Sequence, residues 1–188
     1  GVQTCALPIW GFPLVLKGEQ GHAGKTVHIC QDEAQLRAAW DKLEGRSCLL
    51  QRHVQGRNWG CGGFFLQGHP VSLQCYDILQ QEPPTSGPAT KVRMDPQAPL
   101  LDALCALAKA LNWSGYLQGD FMRDAESGRF LFLELNPRGW GSMTAGSGQG
   151  MQAFAPLLAH LRGRKPAAMP TPARGRPTWV FPKPVTSH

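Results

Sequence analysis

Residues 131–143 read LFLELNPRGWGSM, and the interpretation of this stretch decides that of the whole chain. Leu131 to Asn136 has the composition of a strand, in which Glu134 and Asn136 point to one face and Leu133 and Leu135 to the other. Phe132 and Leu135 are read as core. A strand that only packs a core has no need of a carboxylate and an amide two residues apart, nor of a guanidinium, Arg138, just past Pro137. Their purpose depends on what the chain sets opposite them.

Immediately upstream, GYLQGDFM (115–122) reads as a second strand, joined to the first through a turn at RDAESG (123–128). Antiparallel pairing would place Asp120 beside Glu134. Two carboxylates and an amide oxygen on one face form a hard oxygen site, which Mg²⁺ accepts when phosphate oxygens complete its octahedron. Arg138 would lie at the rim, where a guanidinium can hold a transferring phosphoryl group. Taken alone, Asp120 and Glu134 read equally well as solvent-side residues of an exposed hairpin. The glycine loop at 18–24 shifts the balance, because its unhindered N–H groups and the preceding Lys17 supply what bound phosphate requires.

That loop follows PLVLKG (13–18), a short buried strand. GHAGKT (21–26) ends like a Walker A loop, but the spacing needs glycine at position 19, which is Glu19. The loop should also open into a helix, whereas Val27 to Cys30 continue as strand. Asp32 and Glu33 then open an apolar-periodic helix through Leu36, Ala39, Trp40 and Leu43, stopped by Gly45. CLLQRHV (48–54) is a further strand. GGFFL and VSLQCYDIL flank a hairpin connection at Gln67, Gly68, His69 and Pro70, and QEPPTSGPAT (81–90) reads as loop. PLLDALCALAKALNW is the clearest helix, with Pro99 in its first turn and Leu100, Leu101, Leu104, Leu107 and Leu111 on one face. The order is α+β, with antiparallel hairpins predominating.

Composition narrows the function classes. The 188 residues are 42% hydrophobic, enough for one or two compact units, and no apolar run approaches the roughly 20 residues that span a bilayer. The formal charge of +6 is localised: no Asp or Glu follows Glu134, and residues 135–188 hold seven Lys or Arg. The first 134 residues, with 12 basic and 13 acidic side chains, carry a net −1. A basic, proline-rich tail reads as a solvated linker or truncated edge with TWVF (178–181) as its one possible strand, and no aromatic stripe accompanies it as single-strand binders require. Neither a nucleic acid nor a membrane is expected as partner. Six scattered cysteines without metal spacing fit small buried thiols in a reducing compartment, the cytoplasm. Cys61, within GCGG, is read as packing.

Together these segments resemble the ATP-grasp superfamily, in particular its carboxylate-amine ligases related to the carbamoyl-phosphate synthetase large chain. GFPLVLKGEQGHAGKTV resembles the family's P-x-V-x-K strand and glycine-rich flap, CLLQRHVQG its hinge strand, and GDFMRDAESGRFLFLELNPRGWGSM its metal-binding pair ending in E-x-N-P-R. The resemblance runs from about residue 11 to 150 in consistent order. It implies two lobes of antiparallel sheet and packed helix with nucleotide between them. Residues 10–50 would be the small lobe, 51–165 the large lobe and 166–188 a tail cut short, while residues 1–9 read as a translated sequencing adapter.

The same resemblance implies roles. Lys17 would contact the nucleotide phosphates, with Gly21, Ala23 and Gly24 closing over them. Gln51, Arg52, His53 and Val54 would form the hinge along the adenine. Asp120, Glu134 and Asn136 would hold Mg²⁺, for which Mn²⁺ could substitute, and Arg138 would steady the γ-phosphate and an acylphosphate. Such enzymes phosphorylate a carboxylate with ATP and let an amine displace the phosphate, chemistry that needs charge neutralisation and positioning. Two departures bear on the acid substrate. Relatives often carry Arg in the strand before the proline loop, yet no Arg or Lys lies between Arg57 and Lys91, leaving Arg93 as a candidate replacement. Asn58 stands where an acidic ribose contact would be expected. The alternative is an ATP-binding module without ligase activity.

Overall fold

The computed structural model describes residues 11–18, 26–84 and 87–180. Residues 1–9, the flap positions Gly21, Ala23 and Gly24, and residues 181–188 of the tail lie outside the described residues. The chain divides into two compact units, one running to Gln55 with Pro83–Gly87, the other comprising Gly56–Glu82 and the chain from Pro88 onward.

In the first unit, β1 (Leu14–Gly18), β2 (Val27–Cys30) and β3 (Cys48–Arg52) form an antiparallel sheet in the order β2-β1-β3. Helix α1 (Glu33–Asp41) starts where Asp32 accepts a hydrogen bond from the Gln35 backbone N–H at 2.8 Å, satisfying one of the unpaired donors of the first turn. Leu36 and Ala39 of α1, with Leu43, pack on Leu14, Leu16 and Cys30. Because side chains alternate, Val15 and Lys17 point to the face of β1 away from this core, and Gln51, opposite Val15, shares it.

The second unit is built on a six-stranded antiparallel sheet: β4 (Gly56–Leu66), β5 (His69–Gln81), β6 (Ala89–Met94), β7 (Gly115–Asp124), β8 (Phe130–Asn136) and β9 (Thr178–Trp179), in the order β8-β7-β4-β5-β6-β9. The fold class read from the sequence, α+β with antiparallel sheets, is what the structure has. The β4–β5 connection is shorter than expected. Gln67 and Gly68 turn the chain alone, at φ 49° and 77°, and His69 and Pro70 already belong to β5. Strand β6, within and just after the loop expected at 81–90, is an addition, and its Thr90, Val92 and Met94 are buried.

Opposed residues of an antiparallel pair share a face, so the register assigns every side chain. Arg93, Asp77, Trp59 and Phe121 form one row across the sheet. On this face α2 (Ala98–Ala110) buries Leu100, Leu104 and Ala108 against Trp59, Cys61, Phe65, Cys75 and Leu117. The predicted leucine stripe ends sooner than expected, because Leu111 caps the helix and is exposed before Asn112 turns the chain at φ 45°. Cys61 is buried here, as read, and it remains a free thiol.

The adjacent row, Met94, Tyr76, Gly60, Asp120 and Glu134, faces the other way. There Trp140, Met143 and Ala153 pack on Tyr76, Val92 and Met94. Two glycines of GCGG make this possible. The Tyr76 ring lies where a side chain on Gly60 would stand, and a Cβ on Gly62 would sit 2.6 Å from the Trp140 ring. A Gly60→Ala substitution is therefore expected to cost about 1–3 kcal/mol through displacement of Tyr76. Urea unfolding measures this, and an unchanged midpoint would contradict the ring's placement.

As far as it is described, the tail is fixed to this unit and is not a solvated linker, and the possible strand at TWVF is β9. Met169, Gly175 and Val180 donate backbone hydrogen bonds to the carbonyls of Val71, Met94 and Thr90 at 2.8, 2.9 and 2.8 Å. Pro172 and Val180 are buried. Prolines here remove donors that the sheet does not need, while the residues between them supply the ones it does. Among the described residues no helix is long and apolar enough to cross a membrane.

Candidate functional site

The hairpin of β7 and β8 sets Asp120 directly opposite Glu134 and Gln118 opposite Asn136. The register then slips, so that Phe121 faces Phe132 and Leu133 becomes an extra residue on β8. Such bulges bend a strand and re-aim its side chains. Phe132, expected in the core, is half exposed with its ring edge-on to Phe121, because β8 is the sheet's edge strand and that side of it is uncovered. Leu135 packs against the core as read.

Four polar side chains converge around Asp120. The Asn136 amide nitrogen donates to Asp120 Oδ2 and Gln118 Oε1, each at 3.0 Å, and to Glu134 Oε1 at 3.3 Å. Gln118 Nε2 donates to Asp120 Oδ1 at 2.5 Å. Arg138 Nη2 donates to Asn136 Oδ1 at 3.1 Å and its Nη1 to the Gly139 carbonyl at 3.2 Å. Asp120, Glu134, Asn136 and Arg138, expected from the sequence to form one site, lie together in the structure.

Gln118 was missed. It lies two residues before Asp120 and so on the same face, but an uncharged residue in a strand gives no signal until its neighbours are known.

Burial pushes the Asp120 carboxyl up to about 6; the Gln118 hydrogen bond opposes this, the Glu134 charge adds to it and Arg138 offsets part. A buried carboxylate beside another is relieved by a cation. Among the described residues no three His, Cys, Asp or Glu side chains group as a metal site, so an ion here would rely on two carboxylates, an amide oxygen and oxygens from a ligand or water. That donor set suits a hard divalent cation such as Mg²⁺ and not a soft one.

Of the remaining predicted residues that are described, Lys17 and Gln51 to Val54 belong to the first unit. Lys17 sits in β1, Gln51 and Arg52 end β3, and the His53 backbone N–H donates to the Pro13 carbonyl at 3.3 Å. Arg93 does not serve as the missing substrate arginine in this arrangement. Its row lies on the face opposite Asp120, where its guanidinium is 2.8 Å from buried Asp77.

No protein-family model matches the chain. A plant protein, acetyl-CoA carboxylase 1 of Arabidopsis thaliana, is 22% identical over 189 residues, covering 92% of this chain and 8% of its own. Among solved structures, N5-carboxyaminoimidazole synthetase from Staphylococcus aureus complexed with ADP superposes with a TM-score of 0.71 at 13% identity, over 88% of this chain and 46% of the enzyme. The biotin carboxylase domain of Hydrogenobacter thermophilus 2-oxoglutarate carboxylase, in complex with MgADP, ADP and bicarbonate, gives 0.66 at 15% identity, over 86% and 39%. The chain thus spans less than half the length of each of these proteins.

Proposed function

The chain has the ATP-grasp fold, and from that premise we propose that it is the nucleotide-handling part of an ATP- and Mg²⁺-dependent ligase. The ligase would activate a carboxylate as its acylphosphate for attack by an amine or similar nucleophile. The observation that carries this reading is the meeting of Asp120, Glu134 and Asn136 with Arg138 on one sheet face. Asp120, Glu134 and Asn136 would hold the ion, whose chemistry is to neutralise phosphate charge. Asn136 would present its amide oxygen after rotation about its terminal torsion, which exchanges oxygen and nitrogen. Arg138, on the exposed side of Asn136, would hold the phosphoryl oxygens in place.

Lys17, Gly21, Ala23 and Gly24 would keep the phosphate role and the hinge at 51–54 the adenine role that the resemblance implies, with the lobe boundary expected between residues 50 and 51 drawn instead between Gln55 and Gly56. The names of the matched proteins, carboxylases and a carboxyaminoimidazole synthetase, favour bicarbonate as the acid. A small acid also suits a chain with no Arg or Lys from residue 58 to 90. The free thiols support a reducing, cytoplasmic setting. A nucleotide-binding module without ligase activity is the second reading, and the intact acidic pair with Asn136 and Arg138 weighs against it.

The test is ADP release by the chain with and without Mg²⁺, bicarbonate and a panel of small carboxylates. Release that requires Mg²⁺ and rises on addition of an acid is expected. Nucleotide binding without acid-dependent turnover would favour the module.

A further inference from the structure

We propose that Gln118 is a positioning residue for the divalent cation, an inference that rests on the cation reading of Asp120, Glu134 and Asn136. Gln118 is 4% exposed, and both ends of its amide are engaged. Nε2 donates to Asp120 Oδ1 at 2.5 Å and to the Gly119 carbonyl at 3.2 Å, while Oε1 accepts from Asn136 at 3.0 Å. The backbone fixes this geometry, since Gln118 stands opposite Asn136 in the ladder and one period before Asp120 on its own strand.

The task calls for an amide. One group must hold a carboxylate by donating and a neighbouring amide by accepting, which neither a carboxylate, an ammonium nor a guanidinium can do. On the adjoining strand Gly62 faces Gln118 and carries the Trp140 ring, so the side chain is enclosed. Gln118 thereby fixes the plane of the Asp120 carboxyl before any ion arrives, and it releases Asn136 when that amide turns its oxygen to the ion. Side chains that orient metal ligands in this way are worth about 10–100-fold in metal affinity.

Binding of Mn²⁺ to the whole chain, followed by the electron paramagnetic resonance signal of the free ion, tests this without reference to activity. Gln118→Met, which keeps length and removes both hydrogen bonds, is expected to bind about tenfold more weakly than wild type. Gln118→Asn, too short to reach both partners, should show the same loss should the methionine variant not fold. Gln74→Met is the control, because Gln74 is a fully buried glutamine on the same sheet face whose amide donates to the Met143 carbonyl at 3.1 Å instead. It should bind as wild type does, and Glu134→Ala should not bind.

Wild-type affinity in the Gln118 variants beside loss in Glu134→Ala would overturn the role of Gln118 and leave the cation site standing. Equal weakening by Gln74→Met would also overturn it, by showing that packing of the face is what matters. Failure of the wild-type chain to bind Mn²⁺ would remove the cation reading and the role of Gln118 with it.

Discussion

Addition of Mg²⁺ and ATP is expected to raise the Tm of the chain by roughly 5–10 °C, and to leave a Glu134→Ala, Asn136→Ala variant unmoved. A ligand that binds only the native state stabilises it by mass action, about 2.7 kcal/mol at a concentration one hundred times Kd. For a chain of this size each kcal/mol moves Tm by about 2–4 °C, which gives the expected range. Glu134 is exposed and Asn136 half-buried on the edge strand, so truncating them should cost little intrinsic stability while removing two of the three ligands assigned to the ion. The measurement is a thermal-shift titration with ATP alone, Mg²⁺ alone and both. A shift that survives in the variant would mean that these side chains do not hold the ion.

Arg93→Met is expected to destabilise the fold by about 3–5 kcal/mol, and a further Asp77→Leu substitution to restore most of that loss. Asp77 is 1% exposed and takes a direct ion pair from Arg93, with the mostly exposed Arg57 farther off at 3.5 Å. Removal of Arg93 strands a buried carboxylate that Arg57 only partly compensates. Removal of both leaves an apolar pair in a row that already holds Trp59 and Phe121. Even in the intact pair Asp77 Oδ1 and Arg93 Nε are buried without hydrogen-bond partners, so the present arrangement is not an optimum that the double variant must match. Urea unfolding of the four chains of this cycle gives the coupling, and additive losses would refute it.

The parts of the site that were legible in the sequence are those whose evidence is local. Alternation in LFLELN puts Glu134 and Asn136 on one face, but the register set at the turn, with Phe121 opposite Phe132, would leave Asp120 opposite Leu133, and the extra residue in β8 is what brings it to Glu134. Asp32 and Pro99 marked helix starts because capping chemistry acts within one turn. What was misread depends on neighbours distant in sequence. Phe132 looks like core until β8 is known to be an edge. Arg93 looked available for a substrate until its register with Asp77 put it on the other face. Gln118 carries no charge to draw attention, and its meaning comes from Asn136, 18 residues away. Strand β6 adjoins a proline-rich stretch that hides it, yet its pairing with β5 is what buries Val92 and Met94.

The bound tail also governs how the molecule meets its own copies. Without β9 the sheet would end at β6, a strand whose outward N–H and C=O groups could template an intermolecular ladder. Two residues of β9, preceded by Pro177 and held in register with Lys91 and Val92, occupy that margin and offer an arriving chain too short a strand to extend. Proteolytic loss of residues 166–180, which also takes Pro172 and Val180 out of the core, would thus show itself as self-association.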